Sequence, residues 1–269
     1  MSSIRIWTPE SDFDSQAVRC IAEKIIGSSS IKILEASDRA YKDALKRDQK
    51  DGLKKQVNLF LKTSDLVIFL IDYDGIQSHF QRRGEPNSLV NKITEVVNSI
   101  DRAILIYIKQ ELESWLLVDC LGICCYFTND ENTRKKQDWI KFASQIQCGN
   151  TELIIEAEQG GKGSKEYLEK FSDKINCKIN PNLKNKPNNL KQKRYSERNS
   201  PEIAKYIEIN QQALTRNESL KDFSEYLLIA GIRLTWLKLL NGEVFKNHSK
   251  IKLQSILNIS EKLSVRINF

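Results

Sequence analysis

Two aspartates, two residues apart, follow a strongly apolar segment of the chain. Asp72 and Asp74 belong to the run DLVIFLIDYDG at residues 65–75. The apolar, β-branched residues before them are typical of a strand that is buried on both faces, and Gly75 relaxes the turn that follows. Two carboxylates on one turn supply the hard oxygen ligands that Mg²⁺ prefers, alongside water and substrate phosphate. Asp-x-Asp-Gly is also common turn chemistry, so the pair alone leaves both a metal site and an ordinary turn open.

The elements that position these aspartates alternate between strand and helix. Apolar runs predict strands at 3–7, 31–36, 65–72 and 102–108, and apolar residues at helical spacing predict helices at 13–27, 40–63, 87–100 and 111–123. This alternation favours a parallel sheet covered on both faces, whose sites lie beyond the carboxyl ends of its strands. We therefore expect an α/β fold with a parallel sheet of about four strands flanked by helices, and a mostly helical C-terminal extension.

Acidic side chains follow three of the four predicted strands. Glu10 follows the first strand, Asp72 and Asp74 the third, and Glu111 and Glu113 the fourth. A single acid in the first turn of a helix is explained by the helix dipole. Three acidic segments at one sheet edge repel one another unless a cation is present. The arrangement therefore predicts a Mg²⁺ or Mn²⁺ site formed by Glu10, Asp72, Asp74 and Glu113.

The alternation of strands and helices ends near residue 128. We therefore divide the chain into an α/β core at 1–128 and a region at 129–269 that completes or extends this core. A short strand is expected at 151–157, a loop at 178–200 and helices at 200–209 and 219–242, the last of them with a break at Gly231. The loop EQGGKGSK lacks the spacing of a phosphate-binding Walker motif. Its Lys162 or Lys165 could nevertheless stabilise charge on a phosphoryl group.

The net charge of +7 is concentrated in a short stretch between Lys184 and Arg198. Lysine and arginine displace counterions from phosphates, so this stretch and the segment RKKQDWIK at 134–141 are predicted to bind nucleic acid, DNA or RNA. Tyr195 and Trp139 interleave with these charges, a pattern that also suits a polyanion. A solvated surface loop is the alternative. The predicted nucleic-acid-binding residues are Lys184, Lys186, Lys191, Lys193, Arg194 and Arg198.

The remaining composition indicates a protein of the cytoplasm that does not enter a membrane. No apolar run reaches the length of about 18 residues that a membrane span needs, and the N-terminus does not resemble a secretory signal. Cys120, Cys124 and Cys125 are expected to be buried, reduced thiols. Zinc binding is the alternative, which is weakened because neither His79 nor His248 has ligand spacing to a cysteine.

Several of these motifs resemble a known family. A Glu after the first strand and Asp-x-Asp after the third is the pattern of Toprim domains, which occur in topoisomerases, bacterial primases and OLD-type nucleases. The segment AILIYIKQELESWLLVD at 103–119 is similar to the E-x-E-x-W-L-L-x-D stretch of a Toprim-like family of bacterial proteins of unknown function, related to RloB-like proteins. Segments 161–171 and 199–227 also resemble it, so the resemblance covers residues 3–228. The first motif departs from the pattern, because Ser11 stands where a glycine usually follows the Glu, and Ser164–Lys165 matches the family's small-Lys pair loosely.

The resemblance implies a Mg²⁺-dependent nuclease centre in bacterial anti-phage defence, with an ATPase encoded alongside as a partner. It implies that Asp72 and Asp74 hold Mg²⁺ and that Glu10 is a ligand or general acid/base. Glu113, with Glu111 as its rival, would complete the acidic cluster. It further implies that Asp119 stands behind these ligands, and Lys165 is the candidate for the positive clamp.

Two other interpretations remain open from the residues. IDYDGI resembles the D-x-D-G-T motif of haloacid-dehalogenase phosphatases, in which the first Asp is the nucleophile. Here the motif lies on the third strand, and Ile76 replaces the Thr. The other interpretation is a non-catalytic module that binds nucleic acid or a partner protein through the basic stretch 184–198 and the apolar helix 219–242.

Overall fold

A computed structural model describes the fold around these segments. It describes residues 2–9, 11–27, 31–47, 51–73, 81–85, 88–109, 111–148 and 163–242. The predicted strand at 151–157 and the C-terminal segment after residue 242 lie outside the described residues.

The centre of the fold is a four-stranded, all-parallel sheet with the strand order β2-β1-β3-β4. Its strands are β1 (Ser2–Trp7), β2 (Ile31–Ala36), β3 (Leu66–Asp72) and β4 (Ala103–Ile108). The α/β prediction is therefore confirmed, and each predicted strand matches an observed one to within a residue at either end.

Helices lie between the strands and continue through the C-terminal half. They are α1 (Asp12–Ile26), α2 (Asp38–Arg47), α3 (Gly52–Phe60), α4 (Leu89–Ser99), α5 (Leu112–Leu116), α6 (Cys120–Thr128), α7 (Gln137–Cys148), α8 (Ser164–Ile179), α9 (Pro187–Lys193), α10 (Ser200–Tyr206), α11 (Gln211–Leu214) and α12 (Glu218–Gly242). Short 3-10 turns occur at Gln81–Gly84, Leu117–Asp119, Glu131–Lys135, Pro181–Asn185 and Glu197–Asn199.

Strand β3 is buried on both of its faces. Alternate side chains of a strand point to opposite faces, so Leu66, Ile68 and Leu70 enter one core and Val67, Phe69 and Ile71 enter another. The second core is completed by α3 and α4. The first is completed by α1 and by buried side chains from α5, α6, α8 and α12, among them Trp115, Cys120, Phe171 and Phe223. The C-terminal helices thus share a core with the sheet.

Trp115 joins the chain after β4 to the C-terminal helix. Its ring stacks on Phe223 with centroids 5.0 Å apart, and its indole N–H donates to the Ser219 hydroxyl at 2.9 Å. Both rings are fully buried. Burying an aromatic ring and satisfying its polar atom together fix α12 against the sheet.

Three elements after β4 differ from the sequence predictions. The predicted helix 111–123 is interrupted by the 3-10 turn that ends at Asp119. The predicted loop 178–200 contains two 3-10 turns and the helix α9. The predicted break at Gly231 is absent, and α12 passes through this residue without interruption. A side chain at Gly231 would collide with Ile31, so this glycine permits close approach to β2.

Asp119 joins three segments that are distant in sequence. Its carboxylate accepts from the Gly122 N–H at 3.1 Å, which caps α6, and from the Glu208 N–H at 2.8 Å. The Arg134 guanidinium pairs with Asp119 at 2.5 Å and also donates to the Tyr206 carbonyl. A Cβ at Gly122 would lie within 2.9 Å of three of these groups, so the position requires glycine.

The cysteines of α6 are buried as expected. Cys120, Cys124 and Cys125 are free thiols inside the core, and burial raises the pKa of Cys120 to about 12. A thiol with so high a pKa is a poor nucleophile and a poor metal ligand. Within the described part of the chain, no helix is long and apolar enough to cross a membrane.

Replacing Asp119 by Ala is expected to destabilise the fold by about 3 kcal/mol, because α6 loses its cap, the Glu208 N–H loses its acceptor and Arg134 keeps only the exposed carboxylate of Glu208 as an ion partner. Denaturant unfolding followed by circular dichroism measures the change. Glu202→Ala is the control, since the Glu202–Lys205 pair is exposed and its loss should cost less than about 1 kcal/mol. Equal destabilisation by the two changes would contradict the assigned role of Asp119.

Candidate metal centre at the carboxyl edge of the sheet

Asp72 lies where the two central strands of the sheet end. Trp7, the last residue of β1, is opposite Phe69, so β3 extends beyond β1 and ends at Asp72. Asp72 is half-buried and lies in register with Ile108, and the next residue, Tyr73, donates its N–H to the Ile108 carbonyl at 2.8 Å. The backbone at the end of β3 is thereby fixed to the end of β4.

The strand order makes the gap between β1 and β3 the switch point of the sheet. From β1 the chain passes through α1 to β2 on one side, and from β3 it passes through α4 to β4 on the other. Open α/β sheets bind ligands in the crevice that such divergent connections leave beyond the carboxyl ends of the strands. Asp72 follows one of the two strands that border this crevice, and the segment that carries Glu10 follows the other.

Hydroxyl groups fix the loop that connects β1 to α1. The Thr8 hydroxyl lies 2.6 Å from that of Ser15 and donates to the Ser11 carbonyl at 2.9 Å. Ser15 in turn donates to the Ala36 carbonyl at the end of β2, and Ser11 caps α1. Thr8 and Ser15 are almost fully buried, so this network holds the carboxyl ends of β1 and β2 together.

Two of the four predicted metal ligands, Glu10 and Asp74, lie outside the described residues, as does Lys162. Within the residues that the structure describes, no three Asp, Glu, His or Cys side chains are placed to hold one metal ion. Asp72 and Glu113 are the predicted ligands whose surroundings can be described. Asp72 supplies a half-buried carboxylate of the kind that suits Mg²⁺ or Mn²⁺.

Glu113 is buried in the first turn of α5, with 6% of its surface exposed. Its carboxylate accepts a hydrogen bond from the Tyr195 hydroxyl at 2.8 Å. Burial raises the pKa of Glu113, while the Tyr195 hydrogen bond and the charge of Lys165 act in the opposite direction. The structure therefore places an ionisable group next to the end of β4 in surroundings that oppose its ionisation.

Tyr195 is a site residue that the sequence predictions missed in this role. Its hydroxyl contacts Glu113 and lies 2.7 Å from the Ser200 hydroxyl, forming a buried chain of three polar groups. Burial and the charge of Glu113 raise the pKa of Tyr195, and Asp14 in the first turn of α1 adds to this effect. Tyr195 therefore stays protonated as the donor to Glu113. Because the Asp14 charge acts on Tyr195, Tyr195 lies on the same side of the fold as the start of α1.

The predicted clamp Lys165 lies beside the same cluster. Its ammonium group pairs with Glu197, and although burial lowers the pKa of Lys165, Glu197, Glu113 and Glu111 together raise it. The Lys165 backbone N–H donates to the Glu111 carboxylate at 2.9 Å, so Glu111 caps the N-terminus of α8. The structure thus brings Glu111, Glu113 and Lys165 together.

Other sequence predictions near the site are corrected by the contacts. Asp119, expected behind the metal ligands, instead joins α6 to Arg134 and Glu208. Tyr195 and Trp139, which interleave with the basic residues in sequence, are 2% and 8% exposed and so add little to the surface that a polyanion could contact. Arg194 pairs with Asp173 and Glu169. The remaining predicted nucleic-acid-binding residues are exposed: Lys184, Lys186, Lys191, Lys193 and Arg198.

The buried carboxyl of Glu113 predicts a pH-dependent effect of the Glu113→Gln change. A carboxyl whose folded pKa is raised above its ordinary value of 4.5 favours folding at low pH, and this contribution is lost as pH rises through the folded pKa. Gln keeps an acceptor for Tyr195 and carries no charge. We expect Glu113→Gln to be more stable than the parent at about pH 8 and to show little of this gain at about pH 4.

Urea unfolding at both pH values measures this difference in stability. Glu95→Gln on the exposed surface of α4 is the matched control, with no expected gain. If Glu113→Gln lost the same stability at both pH values, the Glu113 carboxylate would be a structural group.

Comparison with models of known protein families, with curated proteins and with solved structures found no match to this chain.

Proposed function

We propose that the protein is a Mg²⁺- or Mn²⁺-dependent nuclease that cleaves phosphodiester bonds at the carboxyl edge of its sheet. The observation that carries the proposal is the position of Asp72 at the end of β3, the strand that pairs with β1 at the switch point of an all-parallel sheet. Such positions are where open α/β sheets bind their ligands. A carboxylate there offers the oxygen donor that Mg²⁺ needs beside substrate phosphate and water.

Asp72, with Asp74 and Glu10 from the neighbouring segments, would hold the ion. When bound, the ion polarises a phosphoryl oxygen and lowers the pKa of a coordinated water. The Thr8–Ser15 network keeps the loop after β1 at a fixed position relative to β2, which limits the reorganisation needed to bind the ion.

Glu113 and Lys165 would act at the β4 side of this centre. Tyr195 orients the Glu113 carboxylate through one of its oxygens. Lys165 supplies positive charge next to Glu113 and Glu111, and its pairing with Glu197 fixes its ammonium group. A fixed positive charge is suited to stabilising the charge that develops on a phosphoryl oxygen.

The resemblance at residues 103–119 supports a proposal for the biological process and the partner protein of this activity. We propose a cytoplasmic nuclease of bacterial anti-phage defence that works with a partner ATPase. DNA and RNA are both possible substrates of the centre, and the cleavage assay below distinguishes them.

A non-catalytic nucleic-acid-binding module is the second candidate, and one observation favours it. Glu111 and Glu113 are each engaged in contacts that stabilise the fold, Glu111 with the N-terminus of α8 and Glu113 with Tyr195. Carboxylates with such partners can be retained for stability alone. This candidate predicts that the parent protein binds nucleic acid but neither binds Mn²⁺ nor cleaves the nucleic acid. The nuclease proposal predicts all three.

Changing Asp72 to Asn is expected to lower the rate of metal-dependent cleavage by about 100-fold or more, which corresponds to about 2.7 kcal/mol on the barrier. Asn keeps the shape of the side chain and removes its charge. The assay uses supercoiled DNA, single-stranded DNA and tRNA with Mg²⁺ or Mn²⁺, and calorimetric titration with Mn²⁺ alone measures the accompanying loss of metal affinity.

Asp101→Asn is the matched control, because Asp101 is exposed and precedes β4 at the opposite edge of the sheet. Its activity should equal that of the parent. If Asp72→Asn cleaves as fast as the parent, the nuclease proposal is wrong. A covalent phosphate trapped on Asp72 would instead support the phosphatase interpretation.

A further inference from the structure

The positive charge of this protein is concentrated in one part of the fold. Residues 163–200 contain ten lysines and arginines and four aspartates and glutamates, which gives this segment +6 of the net +7 of the whole chain. The segment comprises α8, α9 and the 3-10 turns around α9. The rest of the chain is therefore nearly neutral, and any long-range attraction of a polyanion is directed to this region.

The acidic residues of this segment are largely used to fix its structure. Arg194 pairs with Asp173 and Glu169, and Lys165 pairs with Glu197. Seven other cations are exposed and make no ion pair with any residue that the structure describes. Two of them, Lys170 and Lys174, lie on α8. We call the remaining five, which follow α8, the basic surface: Lys184, Lys186, Lys191, Lys193 and Arg198.

The basic surface is held in place by contacts on its inner side. Leu183 is buried in the 3-10 turn that precedes α9. The Asn176 side chain donates to the Lys193 carbonyl at 2.9 Å, and the Tyr195 N–H donates to the Ser172 hydroxyl at 2.9 Å. The cations are thus carried on an ordered backbone, which lowers the entropic cost of binding an extended ligand.

Three aromatic side chains in and next to this region are buried, and Tyr167 is half-buried. Tyr195, Trp139 and Phe171 are 2%, 8% and 1% exposed, so these rings offer no face on which a base could stack. Proteins that bind single strands rely on such stacking platforms. Four of the five cations are lysines, which contact phosphates as point charges and do not select bases.

Tyr195 connects the basic surface to the proposed centre. It lies between Lys193 and Arg198 in sequence, and its hydroxyl reaches Glu113 in the first turn after β4. The backbone that carries the cations therefore has a fixed distance from the carboxyl edge of the sheet.

We propose that the basic surface binds duplex nucleic acid through its backbone phosphates, independently of base sequence, and aligns it with the carboxyl edge of the sheet. The alignment rests on the proposed function, whereas the binding does not. An anionic membrane is the less suitable partner, because membrane-surface helices present a large apolar face, and α9 carries only Leu190, which is half-buried.

The test is binding of the full chain to a fluorescent DNA duplex in EDTA, where metal-dependent cleavage cannot occur. Fluorescence anisotropy is measured across a range of salt concentrations. Lys184, Lys186, Lys191 and Lys193 are changed together to Gln. We expect this variant to bind at least about tenfold more weakly, and its salt dependence, as the slope of log K against log salt, to fall by about 3–4, since each phosphate contact contributes about 0.9.

The matched control changes four exposed lysines elsewhere, Lys32, Lys54, Lys62 and Lys221, to Gln. It removes the same charge and should retain most of the affinity and the slope. Thermal unfolding of both variants checks the fold, and exposed substitutions of this kind should change stability by no more than about 0.5 kcal/mol. Equal losses by the two variants would show that net charge alone attracts the duplex, and would overturn the proposal.

Further ligands test the class of partner. Duplex RNA binding with a similar dependence on the basic surface supports the proposal, because its backbone offers the same phosphates. Tighter binding of single-stranded DNA than of the duplex, or equal binding of vesicles containing phosphatidylserine, overturns it. If the duplex binds as expected but no metal-dependent cleavage occurs, the basic surface stands and the nuclease proposal fails.

Discussion

The structure depends on the burial of β3 on both faces. Its residues from Leu66 to Ile71 are all buried, so this strand is stable only with a layer of helices on each side of the sheet. On one side α3 and α4 supply that layer. On the other, α1 is joined by helices from the C-terminal half, which bring Phe171, Phe223 and Leu227 into the same core as Ile68. The candidate site follows from this constraint. Because helices cover both faces of the sheet, a ligand can approach the central strands only at their ends, and Asp72 lies at the carboxyl end.

The sheet and its first helices were predictable from sequence because their signals are local. The apolar run before Asp72 and the helical spacing of Val18, Ile21 and Ile25 are properties of neighbouring residues. The switch point was not predictable in the same way. Strand order depends on which strands pair, and the pairing of β1 with β3 joins residues about sixty positions apart.

Residues 178–200 show why the C-terminal half was harder to predict. Asparagine, proline and lysine dominate this segment, and such a composition ordinarily indicates a loop. Its order comes from contacts with α8, such as those of Arg194 with Asp173 and of Tyr195 with Ser172. The spacing of apolar residues in the sequence does not reveal these contacts.

The same difficulty explains the mixed result at the candidate site. The sequence identified Glu111, Glu113 and Lys165 as separate candidates, and their proximity is a tertiary arrangement that the structure reveals. Tyr195 was interpreted as a surface aromatic because basic residues surround it in sequence. Its burial against Glu113 is a tertiary contact between residues more than eighty positions apart. A single tyrosine within a long basic stretch is the one signal that could have suggested an inward-facing anchor.

The placement of α12 against the sheet also bears on how the chain folds during synthesis. Trp115 receives its ring partner Phe223 from α12, and Gly231 brings the same helix onto Ile31 of β2. A ribosome that has released only the sheet and its early helices has released a structure with one apolar face still open. Closure waits until α12 has been made, and in that interval the apolar residues that α12 covers are exposed to water.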